Sequence, residues 1–379
     1  MNARRTRSSA SKRGALAAFF FFVPLVARAA ELGALTPASM VRPAVLAAPT
    51  GIEAEVLKDF PRYAPAQKIS GTIRVWGHGS FKRPFMRRLL ALWEEGFRRW
   101  HPEITVEHDL YGTSSAIPAL FTGVGDLALL GEEILAEAED TFFRATGRAP
   151  LGIDVATGSV DVRNFDYAQM FYVHRDNPLA RLTLAQLDAV FGAEHRRGAP
   201  KNFRTWGDLG LTGEWAARPV NLYGWRIDDS FGIYLETHLL NGSHRWNNAL
   251  REFAHVNRPD GTIYDHGQQI LDALATDKFG LAVSNVRYAS PLVKPLAIGA
   301  RDGGPFVAVT KRTLIAQEYP LTRLIPIYLD RVPGRPVEPR LKEFLLYILS
   351  REGQADVARD GGYLPLSPAA ASAQRKKLE

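Results

Sequence analysis

The chain has 379 residues, 46% of them hydrophobic and 23% charged, which is typical of a water-soluble protein with one or two sizeable cores. It contains no cysteine, which excludes disulfide bonds, thiol catalysis, cysteine zinc sites and a lipidated cysteine. Its formal net charge of +7 is concentrated at the N-terminus.

The first 29 residues have the pattern of a cleavable export signal. A basic segment precedes an apolar one, Ala15 to Val26, and the small-x-small sequence Ala27-Arg28-Ala29 follows. The apolar segment is shorter than the roughly 20 residues that span a bilayer. Without residues 1–29, Lys and Arg fall from 47 to 41 against 40 acidic residues. That balance argues against nucleic-acid binding, and we expect a periplasmic protein without a lipid anchor.

Strands and helices are predicted to alternate after an Ala- and Pro-rich arm at 30–69, which we expect to be extended or loosely packed. The predicted strands are Thr72–Trp76, Ile104–Glu107, Asp126–Leu130, Met170–His174, Pro219–Tyr223, Gly280–Ser284, Lys294–Ile298, Phe306–Val309 and Ile325–Leu329. The predicted helices follow Pro84, Ser114 and Thr183, and cover Glu132–Ala145, Trp246–Phe253, Gln268–Ala275 and Pro339–Ser350. This alternation indicates an α/β protein with mostly parallel, helix-covered sheets.

The stretch from Tyr223 to Leu240 indicates what such a fold could bind. A strand end leads into a polar loop with Arg226 and Ser230, and an amphipathic helix begins there. The first N–H groups of a helix are unpaired and electropositive, so a guanidinium and a hydroxyl beside them suit an oxyanion. The segments GHGSFKRP and YGTSSAIP repeat this strand, polar turn and helix pattern. We expect the three to converge on one anion.

Several segments, in their order and spacing, resemble one known family. They include GHGSF (77–81), YGTSSAIPAL (111–120), GVGDLALLGE (123–132), WRIDDSFG (225–232), YPLTRLIPIYL (319–329) and FLLYILSREGQADVARDGGYLPLSP (344–368). The chain resembles the phosphate-specific substrate-binding proteins of bacterial ABC transporters, which have the type II periplasmic binding-protein fold. The resemblance implies two lobes, 70–160 plus 293–379 and 161–292, joined by two crossovers. It also implies a monomer that delivers phosphate to a permease without a cofactor or metal.

The resemblance also implies a set of ligand-binding positions. The matching residues are Ser80 with Phe81, Thr113 with Ser114, Arg226 and Ser230. Gly131 stands where the family has a ligand Asp, and Glu132 follows it. Beside this set, Asp228 and Asp229 could orient Arg226, and His78 could line the mouth of the cleft. Ser230-Phe231-Gly232 stands where the family has Ser-Gly-Thr, so one hydroxyl is missing.

Other interpretations of these residues stay open at the level of sequence. Ser80 and Thr113 could be helix caps, and Glu132 a first-turn carboxylate. The missing hydroxyl and the displaced carboxylate favour, as an alternative function, a sensor or interaction protein that has lost tight phosphate binding. A hydrolase on the same scaffold is a further alternative. The nine histidines form no HExxH motif, and no GxSxG motif is present, so neither a metal site nor catalysis is expected.

Overall fold

The computed structural model describes residues 48–79, 85–158, 168–285 and 290–379. The predicted export signal, the first part of the arm, Ser80 and Phe81 lie outside the described residues. Within the described residues, no helix combines the length and apolar character that crossing a membrane requires.

The described residues contain strands and helices in the following order. The strands are β1 Gly71–Gly77, β2 Ile104–Asp109, β3 Leu127–Leu129, β4 Leu151–Thr157, β5 Met170–His174, β6 Arg181–Thr183, β7 Asn221–Trp225, β8 Leu250–Phe253, β9 Val256–Asn257, β10 Ile263–Tyr264, β11 Gly280–Ser284, β12 Val293–Pro295, β13 Ala297–Gly299, β14 Phe306–Val307 and β15 Leu324–Leu329. The α-helices are α1 Gly51–Leu57, α2 Phe85–Arg98, α3 Ala116–Phe121, α4 Ala136–Thr146, α5 Leu184–Phe191, α6 Ser230–His238, α7 His266–Ala275, α8 Lys311–Ile315, α9 Pro339–Ile348, α10 Arg351–Asp360 and α11 Pro368–Lys376.

Two five-stranded mixed sheets organise these elements. The first has the strand order β2-β1-β3-β15-β4, and the second has the order β12-β5-β11-β7-β8. In the first sheet β1 runs parallel to β2 and β3, and β15 runs antiparallel to its neighbours. In the second, β7 is parallel to β8 and β11, whereas β5 is antiparallel to β11 and β12. The α/β class expected from the sequence is confirmed.

Each sheet has a hydrophobic core that its sequence pattern predicts. Ile73 and Val75 alternate along β1 and are fully buried, as a strand with one covered face requires. Leu89, Trp93 and Phe97 of α2 are buried in the same cluster at helical spacing. Parallel strands place their carboxyl ends at one edge of a sheet, so the turns after β1, β2 and β3 are brought together.

The second half of the arm is packed into the fold, so the expectation of loose packing is wrong for it. Helix α1 lies within this segment, and Phe60 and Tyr63 after it are buried in the core of the first sheet. The Tyr63 hydroxyl donates to Glu343 Oε2 at 2.7 Å and lies 2.8 Å from His101 Nε2. These partners are distant in sequence, so a pattern confined to the arm could not reveal them.

The helix predicted at Trp246–Phe253 is also wrong. Its second half is β8, which pairs in parallel with β7 from Leu222 to Trp225. Its first half is not helical, because the backbone N–H of Asn247 donates to Phe191 O at 2.7 Å instead of to a carbonyl within a helix. Pairing to a sheet edge therefore overrides the local helical periodicity.

The helix predicted to start at Glu132 starts four residues later, at Ala136. Glu132 lies in a bend between β3 and α4. It is therefore not a first-turn carboxylate of α4, and its partners belong to other segments.

Thr183 caps α5 as the sequence predicts, through a reciprocal capping box. Its hydroxyl accepts the Gln186 N–H at 3.2 Å, and the Gln186 carboxamide accepts the Thr183 N–H at 2.9 Å. Replacing Thr183 by alanine should lower the free energy of unfolding by about 1 kcal/mol relative to Thr183→Ser, because serine keeps the hydroxyl and both lose the methyl group. Urea denaturation of the two variants measures this difference, and equal midpoints would contradict the cap.

Candidate functional site

The turns after β1, β2 and β3 meet at the carboxyl edge of the first sheet. Nδ1 of His78, just after β1, lies 3.3 Å from Oγ1 of Thr113. The same oxygen accepts the backbone N–H of Gly131, just after β3, at 3.3 Å. Nε2 of His78 lies 3.1 Å from the Tyr363 hydroxyl. Two of the predicted residues, His78 and Thr113, are thus in contact, and Ser114 is exposed beside them.

The His78 ring explains why residue 131 has no side chain. A Cβ built on Gly131 would lie 2.2 Å from Nδ1 of His78, so a ligand Asp cannot occupy this position while the imidazole is there. Glu132 is the next residue, and its side chain has a carboxylate. Burial, and then the charge of Arg323, lower the pKa of His78 to about 4. The imidazole is therefore neutral near pH 7 and can both donate and accept a hydrogen bond.

Glu132 faces the N-terminus of α6, which packs beside the second sheet. Burial raises the pKa of the Glu132 carboxyl above its usual value. The Ser230 hydroxyl and the charge of Arg323 oppose that rise, because both favour the ionised form. The same hydroxyl lies 3.4 Å from Asp229 Oδ1. Ser230 is thus shared between two carboxylates, Glu132 and Asp229.

The start of α6 is fixed by its own polar residues. Asp229 is the N-cap, and its Oδ1 accepts the Phe231 N–H at 3.2 Å. Gly232 lies against the preceding loop: a Cβ there would be 2.4 Å from the Arg226 carbonyl oxygen and 2.7 Å from that of Ile227. Gly232, which stands where the family has Thr, therefore has a packing reason, since a side chain there would meet the preceding loop.

Arg226 lies in that loop as an exposed cation. Its side chain is 52% exposed, and its Nε donates to Asp228 Oδ1 at 2.8 Å, with a second contact from Nη2 to Oδ2. This pairing raises the pKa of Arg226 further above its usual value. Asp228 thus holds the Arg226 side chain through two contacts. Among the described residues, no direct contact joins Arg226 to Thr113, Glu132 or Ser230.

Arg323 is a cation of this region that the sequence analysis missed. It immediately precedes β15, and only 2% of its side chain is exposed. Its Nη2 donates to Glu133 Oε2 at 3.1 Å, and its Cζ lies 4.9 Å from the ring centre of Tyr234 and 5.3 Å from that of Phe231. The only signal in the sequence is a lone cation in the apolar run YPLTRLIPIYL (319–329).

A histidine cluster lies next to Asp229. Nδ1 of His266 is 3.7 Å from Asp229 Oδ2, and the His266 ring packs 4.5 Å from Trp225. Within the described residues, His255, Asp265 and His266 bring possible metal-ligand atoms within 4.8 Å of one another. However, His255 Nδ1 accepts the His266 N–H at 3.3 Å, and Asp265 Oδ1 accepts the Gly267 N–H at 2.9 Å. These contacts cap α7, which gives the cluster a structural role.

Both the sequence and the fold of this chain are similar to those of known proteins. No family model matches the chain. The chain is 29% identical over 320 residues to phosphate-binding protein PstS of Pseudomonas aeruginosa, in two strains, across 84% of this chain and 90% of PstS. The chain is thus similar to PstS over most of both sequences. The crystal structure of PstS from Borrelia burgdorferi has the same fold, with a TM-score of 0.52 at 13% identity, across 79% of this chain and 99% of that one.

The relationship to PstS confirms the resemblance stated from the sequence, together with the fold that it implied. It also relates the chain to proteins named for binding rather than for catalysis. The alignment with PstS spans most of both chains, so the resemblance is not confined to one motif.

Proposed function

We propose that the protein captures phosphate, or a related tetrahedral oxyanion, and delivers it to the permease of an ABC transporter. The cleft lies between a lobe of residues 70–160 plus 293–379 and a lobe of residues 161–292. The relationship to a phosphate-binding protein supports this function. The observation that carries it is the contact of Glu132 with Ser230 at the N-terminus of α6, with Thr113 bound to the backbone N–H of Gly131, the residue before Glu132.

This arrangement suits an oxyanion that keeps a proton. The first N–H groups of α6 and the hydroxyls of Thr113 and Ser230 donate to oxygens of the anion. The carboxylate of Glu132 accepts the proton of hydrogen phosphate. Sulfate has no proton at neutral pH and is repelled by the same carboxylate. Ser80 and the backbone of Phe81 complete the proposed set, and Arg226, held by Asp228, contributes the cationic side.

Isothermal titration of the purified protein with phosphate, arsenate and sulfate tests the function. We expect phosphate and arsenate to bind, because both keep a proton near pH 7, and sulfate to be excluded. If none of the three binds, the protein is instead a sensor or interaction protein that retains the fold. Turnover of a phosphomonoester would favour a hydrolase.

The predicted export signal at 1–29 supports a periplasmic location for this function. The chain has no cysteine that could carry a lipid, which agrees with a protein that diffuses freely between the site of capture and the permease. We propose cleavage after Ala29 and a monomeric mature protein. Fractionation of cells that express the full chain tests the location, and N-terminal sequencing of the exported product tests the cleavage point.

Replacing Glu132 by glutamine should reduce the preference for phosphate over sulfate. The amide can donate to a sulfate oxygen, so the repulsion that excludes sulfate disappears. We expect phosphate affinity to fall roughly tenfold, because a hydrogen bond to a charged group is lost, while sulfate binding becomes measurable. Competition titration of phosphate against sulfate measures both effects.

Glu139→Gln, an exposed isosteric change in α4, is the control and should behave as wild type. Unchanged exclusion of sulfate in Glu132→Gln would show that Glu132 does not face the ligand.

A further inference from the structure

Arg323 is buried in a way that stability alone does not explain. Burying a guanidinium has a desolvation cost that a single ion pair rarely offsets. Replacing such a residue by an apolar one is therefore often neutral or stabilising. Glu133, the partner of Arg323, is 38% exposed. Within the described residues, Nε of Arg323 is buried and has no hydrogen-bond partner. A buried, incompletely satisfied cation beside a binding site therefore points to a role in that site.

The contacts of Arg323 join two segments of the proposed site, the bend after β3 and the start of α6, to the neighbouring ends of β4 and β15. Its backbone oxygen accepts the Gly158 N–H at 3.1 Å and the Thr157 hydroxyl at 3.2 Å, which fixes its main chain to the end of β4. Its guanidinium binds Glu133, beside Glu132 in the bend after β3. Its other faces lie over the rings of Phe231 and Tyr234, in the first turns of α6. One side chain thus links β15, the acidic bend and the helix N-terminus.

We propose that Arg323 is a positioning residue of the oxyanion site, which holds Glu132 and Glu133 beside the first turn of α6 and so determines which oxyanions the cleft accepts. This inference rests on the proposed function. Two adjacent carboxylates repel each other, and the buried cation compensates that repulsion. The Glu132 carboxylate can then stay ionised although it is buried. It must be ionised to accept a hydrogen bond from the proton of hydrogen phosphate.

The charged groups around Glu132 agree with this role. Arg323 lowers the pKa of its carboxyl, whereas Glu133 on the same bend and Asp229 on α6 raise it. His78, at the end of β1, is kept neutral and adds no charge near neutral pH. Among the described groups that act on Glu132, Arg323 is thus the cation that offsets the negative charges of Glu133 and Asp229.

Removing the cation should change selectivity in a specific direction. In Arg323→Met the pKa of Glu132 should rise, so its carboxyl takes up a proton at a higher pH than in the wild type. A protonated carboxyl donates to sulfate instead of repelling it. At pH 6 we therefore expect the ratio of sulfate to phosphate affinity to rise roughly tenfold relative to wild type, as the neutral fraction of Glu132 grows. A purely structural role would weaken both anions together and leave their ratio unchanged.

Two further variants separate charge from packing. Arg323→Lys keeps the charge and should titrate close to wild type. Glu133→Gln removes the neighbouring negative charge and should lower the pKa of Glu132, opposite to Arg323→Met. The readout is the ¹³C shift of the Glu132 carboxyl against pH in the protein without ligand, together with sulfate and phosphate titrations of each variant at pH 6 and pH 8.

The outcomes distinguish this inference from the proposed function. Opposite shifts in Arg323→Met and Glu133→Gln, with Arg323→Lys near wild type, support it. An unchanged Glu132 titration in Arg323→Met overturns it; should that variant not fold, an unchanged titration in Glu133→Gln does so. The carboxyl titration needs no ligand. If wild-type protein binds no oxyanion, the proposed function fails while the positioning of Glu132 by Arg323 is still decided.

Discussion

Replacing Arg226 by alanine is expected to weaken phosphate binding by roughly 10- to 100-fold, the range for losing hydrogen bonds between charged groups. The protein should remain folded, because the Arg226–Asp228 pair is exposed and such pairs add little to stability. Asp228 holds the guanidinium through two contacts, so its orientation is set before the anion arrives. Isothermal titration with phosphate measures the affinity, and thermal unfolding without ligand measures the stability.

The control for this variant is Arg245→Ala, which removes a cation that is more exposed than Arg226, 76% against 52%, with one long contact, 3.8 Å, to Glu194. It alters the net charge equally and should leave phosphate affinity unchanged. If both variants weaken binding to the same extent, the effect arises from general charge. If Arg226→Ala binds phosphate as wild type does, Arg226 is a surface residue and the cationic side of the site must be sought elsewhere. Measuring affinity at two salt concentrations separates the cases, since only general charge effects are strongly screened.

Local patterns in the sequence predict most of the fold, because the elements that carry the sheets have clear periods. The alternation in β1 and the helical spacing in α2 follow from which faces are buried. The predictions from sequence fail where a partner distant in sequence determines the local structure. The segment of β8 becomes a strand because β7 offers it an edge. Tyr63 is buried because Glu343 and His101 satisfy its hydroxyl.

The site, like the fold, contains residues that the sequence indicates and residues that only the structure reveals. The strand, polar turn and helix pattern indicates Ser230, and the family resemblance points to Thr113 and to Glu132, His78 and Asp229 beside the implied positions. Among the described residues, His78 contacts Thr113, Thr113 binds the backbone of Gly131, and Ser230 contacts Glu132 and Asp229. Arg323 could not be predicted, because nothing in the apolar run around it indicates which carboxylate lies across the fold. The lack of room for a side chain at residue 131 also depends on a group distant in sequence, the His78 ring. Sequence order thus predicts which turns meet, and packing decides which side chains fit between them.

Gly77→Ala is expected to destabilise the protein strongly, by roughly 3–5 kcal/mol, since it combines backbone strain with a clash in the core. Gly77 ends β1 with φ of +126°, a conformation that residues with a side chain rarely adopt. A Cβ there would lie 2.3 Å from the Leu129 carbonyl oxygen and 2.6 Å from the Ala116 Cβ. The Leu129 oxygen cannot yield easily, because it already accepts the His78 N–H at 2.8 Å. Urea denaturation measures the loss.

The matched control is Gly147→Ala at the end of α4, where φ is +74° and a Cβ would meet nothing within 4 Å. It carries the strain of a left-handed residue without the clash, so we expect a loss of about 1–2 kcal/mol. The difference between the two variants therefore isolates the close approach of β1 to β3. That approach positions His78 against Gly131, so Gly77→Ala should also reduce phosphate affinity, whereas Gly147→Ala should not. Equal losses of stability in the two variants would show that the turn after β1 relaxes freely, and His78 would then not be held firmly enough to exclude a side chain at residue 131.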